Sequence, residues 1–131
     1  MADYREISQQ YAQGGIKAGI ILNGGAAIAV LSQGTGLISA GLAGSIRFAM
    51  LCWILGTFFA ATTWVLAFSS TRYVDKSERE PTREQDHLWW SDFYMRFGLL
   101  TVGASLIAYL LGAGVLAWSF GGAEVMTVEP D

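Results

Sequence analysis

Few residues in this chain of 131 are equipped for chemistry. Cys52 is its one thiol and His87 its one imidazole. A zinc site draws three or four Cys, His or carboxylate ligands together at short spacing, and no group of such residues here has that spacing. The sequence has no Gly-rich loop followed by lysine, no Gly-x-Ser-x-Gly elbow and no zincin motif. It therefore predicts no catalytic residue, no metal site and no cofactor. Cys52 lies in an uncharged apolar run, has no partner for an internal disulfide, and reads as a small packing residue. The formal net charge of -3 argues against nucleic acid as a partner. One polar side chain remains to be explained. Asn23 stands in LNGGAAIAVLSQG, residues 22–34, within a stretch that carries no charge between Lys17 and Arg47. An asparagine there would be costly against lipid without a partner, and its readings are a hydrogen bond between helices or a ligand-facing or lumen-facing role.

The elements that must hold Asn23 follow from composition. The chain is 53% hydrophobic and 15% charged, with the charges bunched, which fits a protein whose solvent is partly lipid. A spanning helix takes about 20 mainly apolar residues to cross roughly 30 Å of hydrocarbon. Three segments qualify, at about 15–32, 46–69 and 97–119. Lys17 lies near the start of the first, where its stem lets the ammonium reach the headgroups. Arg47 opens the second as an outer-boundary anchor, and Trp118 closes the third with a ring suited to the interface. A basic residue followed by a short apolar run also resembles a secretory signal, but the polar, mixed-sign MADYREISQQ favours a retained anchor.

The uncharged run from Ala18 to Ile46 would measure about 43 Å as one helix, too long for a single straight crossing. Gln33-Gly34-Thr35-Gly36 is the natural break and predicts a tight turn. All of the eight basic residues except Arg47 flank the N-terminus or lie within 70–96, which predicts that these share the cytoplasmic side. The acidic tail, 120–131, would then be exterior. Within 70–96, five basic residues face six acidic ones, with Lys76 and Glu80 at pairing distance on a helix. Pro81 ends the continuation of the second span and suits the first turn of a new helix. After it, Leu88, Trp89, Phe93 and Phe97 fall near one face. That pattern predicts an amphipathic helix, with Trp89 and Trp90 as interface anchors, lying against headgroups or presented to a partner. The fold class is thus all-α integral membrane: one membrane domain of three transmembrane helices plus an amphipathic cytoplasmic helix between the second and third.

Association of helices in lipid depends on close backbone approach, which small residues four apart provide. Gly15 and Gly19 make one pair, with Gly24 and Gly25 beside Asn23. Gly36, Ala40 and Gly44 make a triplet, Cys52, Gly56 and Ala60 a second, and Ala104, Ala108 and Gly112 a third. These grooves serve packing within the chain or contact with other subunits.

LNGGAAIAVL, IRFAMLCWILGTFFAA and FYMRFGLLTVGASLIAYLLGAGVLA together resemble a loose group of small, uncharacterised bacterial three-span membrane proteins with an LNGGAA-type first span. The resemblance implies the three-span topology and a bacterial inner membrane, N-terminus cytoplasmic and C-terminus periplasmic. It transfers no site residue.

Two functions fit. One is a non-enzymatic protein that oligomerises through small-residue faces and permeabilises the bilayer as holins and pore-type defence effectors do, with Thr101, Ser105 and Tyr109 as a mildly hydrated pore-lining stripe. The other is an accessory or assembly subunit of a larger respiratory or photosynthetic complex. The partners are then the lipid bilayer and either copies of the chain or other membrane subunits. Transport is a distant third, since only Asn23 and its glycines would serve it.

Overall fold

The computed structural model describes residues 4–125, with side chains at residue 10 and at 12–122. Arg5 and the end of the acidic tail lie outside the described side chains. The described chain is almost entirely helical: α1 spans Tyr4–Ser32, α2 Gly34–Ser39, α3 Ala43–Arg79 and α4 Glu84–Val125, with a 3-10 turn at Pro81–Arg83. Each of α1, α3 and α4 contains a stretch long and apolar enough to cross a membrane.

The break after α1 is more elaborate than the single turn expected at Gln33–Gly36. Ser32 Oγ donates to the Ala29 carbonyl at 2.7 Å, and Gln33 N to Val30 O at 3.2 Å, closing α1. Gly34, Thr35 and Gly36 then enter α2, and the reversal occurs five residues past Gly36. There Gly41 takes φ +79°, its N–H reaches Ile38 O at 3.0 Å, and Leu42 N reaches Leu37 O at 3.1 Å. That pair of bonds is a Schellman motif, which needs a left-handed residue after the helix and so selects glycine. Leu42, just past it, is buried and directs the chain into α3.

The other reversal lies where the sequence places it. Glu80 ends α3 at φ -123°, ψ 73°, an extended geometry that the following proline favours. Lys76 and Arg79 sit in the last turn of α3, Glu84 and Asp86 in the first turn of α4, each complementing the local helix dipole. The segment expected to form a separate amphipathic helix is instead the opening of α4, which runs unbroken from Glu84 to Val125. Gly98 lies within this helix, and a Cβ there would make only ordinary contacts, 3.8 Å to Thr63 and 3.9 Å to Leu66.

α3 and α4 form a long antiparallel hairpin bonded across its whole length. Ser45 pairs with Ser119 at 2.7 Å, the Trp53 indole N–H donates to Tyr109 O at 3.3 Å, Thr63 pairs with Thr101 at 2.8 Å, and Ser70 with Ser91 at 2.9 Å. α1 lies along this seam, where Ala26, Ala27 and Val30 help cover a core of Ala49, Trp53 and Leu116. The outer surface is apolar, with Ile28, Phe58, Trp64, Leu99 and Leu110 exposed. Such a surface would aggregate in water and is the normal one in hydrocarbon, where only helices or closed barrels satisfy their own backbone. This architecture fits a multi-pass membrane protein.

Close approach is what the seam glycines supply. A Cβ on Gly112 would lie 2.6 Å from Trp53 Nε1, and one on Gly56 would collide with the Asn23 carboxamide. Gly56→Ala and Gly112→Ala should therefore each lower unfolding stability in detergent by about 1–3 kcal/mol. Gly25→Ala, with nothing within 4 Å, should be neutral or slightly stabilising. Equal thermal shifts for all three would refute this division.

Candidate functional site

Two constellations stand out, one in the middle of the seam and one at the tip of the hairpin. In the first, Asn23 is fully buried beside Ser105, also fully buried. Asn23 Nδ2 donates to Gly19 O at 2.9 Å, to Ser105 O at 3.2 Å and to Ser105 Oγ at 3.2 Å. Two carbonyls at one end of the carboxamide settle its orientation, because a flipped amide would set oxygen against oxygen. The other end, Oδ1, has no hydrogen-bond donor and lies in the space that a side chain on Gly56 would fill. The knot thus joins all three long helices, Gly19 and Asn23 from α1, Gly56 from α3 and Ser105 from α4. It is a packing and hydrogen-bonding site with no ionisable group, and it holds no nucleophile placed beside a base.

The small residues predicted from the sequence divide in two. Gly19, which meets Ser105 and Ala60, lies in the seam with Gly56, Ala60 and Gly112, while Ala104 and Ala108 are half-buried beside it. Gly15, Gly24, Gly25, Gly36 and Gly44 have no atom within 4 Å of a built Cβ, and Ala40 is exposed. Cys52 is half-buried and reduced. The anchors Lys17, Arg47, Trp89, Trp90 and Trp118 are all exposed, Trp118 at 86%.

Spacing by four missed part of the seam. Along α3 the residues at the interface are Ala49, Gly56, Thr63, Ser70 and Ser77, and along α4 they are Ser91, Gly98, Ser105, Gly112 and Ser119. Both rows are small residues seven apart. A repeat of seven keeps one face of each helix toward its partner over many turns, and this signal was present in the sequence. Thr101 and Ser105, expected to line a pore with Tyr109, are instead spent inside the seam, on Thr63 and Asn23 respectively. The Tyr109 carbonyl accepts from Trp53.

The second constellation is a cleft of about 400 Å³ between the end of α3 and the start of α4, lined by Tyr73, Lys76, Arg83, Asp86, His87, Trp89 and Trp90. Tyr73 organises it, stacking on Tyr94 at 5.5 Å and on Trp90 at 6.3 Å. Lys76 Nζ lies 5.0 Å from the centre of the Tyr73 ring, a cation–π contact, rather than pairing with Glu80 as its spacing suggested. Glu80, at the end of α3, turns across the hairpin and bonds His87 Nε2 at 3.2 Å. Trp89 stacks on Phe93, and Arg96 pairs with Asp92 at 2.8 Å. Among the described residues no group of three or more His, Cys, Asp or Glu could hold a metal ion.

The seam knot makes a specific energetic claim. In a double-mutant cycle in detergent, Asn23→Ala and Ser105→Ala should couple by about 0.5–2 kcal/mol, the range for hydrogen bonds between membrane helices. Strictly additive effects would show that the pair contributes packing alone. Compared with known proteins, the chain matches no family model, no curated protein and no solved structure, so its function must be argued from this geometry.

Proposed function

We propose that this is a non-enzymatic membrane protein that works by helix association in the bilayer, docking as an accessory or assembly subunit of a larger bacterial inner-membrane complex. The observation that carries the reading is the unused face of α1. Gly14, Ala18, Gly25 and Ala29 are all exposed, and neither glycine has a neighbour where a Cβ would stand. The opposite face, through Gly19 and Asn23, is committed to the hairpin. In lipid a bare, small-residue face gains van der Waals contact when another helix covers it, and lipid chains fit it less well.

The orientation proposed with this role puts the hairpin tip and the N-terminus in the cytoplasm, as the distribution of basic residues suggests. Pore formation is the weaker form of the association reading. Its stripe of Thr101, Ser105 and Tyr109 is turned inward, and a lumen would need polar residues that the outward faces of the described helices scarcely offer.

Native mass spectrometry of the protein extracted in mild detergent tests the proposal. The wild type should carry a co-extracted membrane protein, whereas copies of itself alone would replace docking with self-association. Ala18→Leu with Gly25→Leu should strip that partner away while leaving the melting temperature of the monomer within a few degrees. A wild type that is monomeric and alone would sink the proposal. Dye leakage from cells on expression would transfer support to the pore.

A further inference from the structure

The cleft at the hairpin tip has no part in helix association, and its chemistry is of a different kind. Lys76 and Arg83 bring two cations to it, and among the described residues neither forms an ion pair. Two neighbouring pairs are already formed, His87 with Glu80 and Arg96 with Asp92. Lys76 is held above the Tyr73 ring, so its ammonium is positioned before any ligand arrives. The remaining charge in the lining is the carboxylate of Asp86, beside the indoles of Trp89 and Trp90, which are 60% and 42% exposed.

The depth of the cleft narrows the choice of ligand. Asn23, Gly56 and Ser105 lie near the middle of the three apolar segments. Tyr73 follows Gly56 by 17 residues, or about 25 Å of helix. Half of a bilayer with its headgroups is about 20–22 Å. On α4, Trp90 precedes Ser105 by 15 residues, or about 22 Å, so the tryptophan side of the cleft reaches the outer edge of the headgroups and Tyr73 stands a few ångström beyond it, with the aromatic rings of Phe93 and Phe97 continuing toward the hydrocarbon. Its volume of about 400 Å³ suits a small polar ligand.

We propose that this cleft binds the headgroup of a phospholipid that carries a phosphodiester and a primary ammonium, as phosphatidylethanolamine does. Lys76 and Arg83 take the phosphate oxygens through charge-assisted hydrogen bonds. Asp86 accepts from the ammonium, and the indole faces of Trp89 and Trp90 add cation–π attraction. A purely anionic headgroup would satisfy the two cations and leave Asp86 facing like charge. An isolated phosphate would make no use of the aromatic walls. The ligand that uses every lining group is zwitterionic and anchored in the membrane.

The test is lipid retention by the full-length protein in delipidating detergent, read by native mass spectrometry. Phosphatidylethanolamine and phosphatidylglycerol are titrated separately, with glycerophosphoethanolamine and inorganic phosphate as soluble competitors. The wild type should retain phosphatidylethanolamine over phosphatidylglycerol. Lys76→Gln with Arg83→Gln should lower that retention by about tenfold or more, the loss expected for charge-assisted hydrogen bonds. Asp86→Asn, a change of no volume on an exposed side chain, should abolish the preference between the two lipids while keeping binding. The proposal is overturned if the double variant retains lipid as the wild type does, or if Asp86→Asn leaves the preference intact. It is equally overturned if either soluble competitor displaces the lipid at equal concentration, because the site would then recognise a free phosphoester.

Discussion

Everything in this structure depends on how closely three helices can approach along one seam. Lipid supplies no hydrophobic force between helices, so contact must come from dispersion and from hydrogen bonds that backbone proximity makes available. The seven-residue rows through Gly56 on α3 and Gly112 on α4 provide that proximity. The Asn23 amide uses it, reaching a carbonyl and a hydroxyl of a helix 82 residues away. The same proximity leaves Asn23 Oδ1 without a hydrogen-bond donor. Gly56 is required for the space the carboxamide occupies.

Hydroxyl pairs extend this arrangement in both directions. Ser45 with Ser119, Thr63 with Thr101 and Ser70 with Ser91 recur along the hairpin. Thr63 Oγ1 also bonds its own backbone, at Phe59 O, so the hydroxyl is satisfied whether or not its partner is present. Such pairs fix register at little cost in unpaired polar groups. By drawing the polar side chains inward they also leave an exterior suited to lipid and to other apolar helices.

The hairpin is longer than the bilayer requires. α4, with 42 residues, extends about 63 Å, roughly twice the hydrocarbon thickness. The excess is gathered at the end that holds the Pro81 turn, where charges and aromatic rings replace the aliphatic surface. The apolar stretch and the tip are therefore one continuous pair of helices.

The sequence by itself determined the class of protein. Apolar length, the bunching of charge and the break at Pro81 are properties of a local stretch, and local physics decides them. It also contained the seven-residue rows, which spacing by four obscured. Tertiary structure alone decided which small residues are covered. Gly19 and Gly25 look alike on paper, yet Gly19 meets Ala60 and Ser105 while Gly25 meets nothing. It also chose Ser105 as partner for Asn23, His87 rather than Lys76 for Glu80, and Gly41 rather than Gly34 or Gly36 for the first reversal. The physical reason is that lipid accepts an apolar side chain on any face of a helix. Hydrophobicity therefore marks the span without marking its inner side, and the inner side is chosen only when backbones meet.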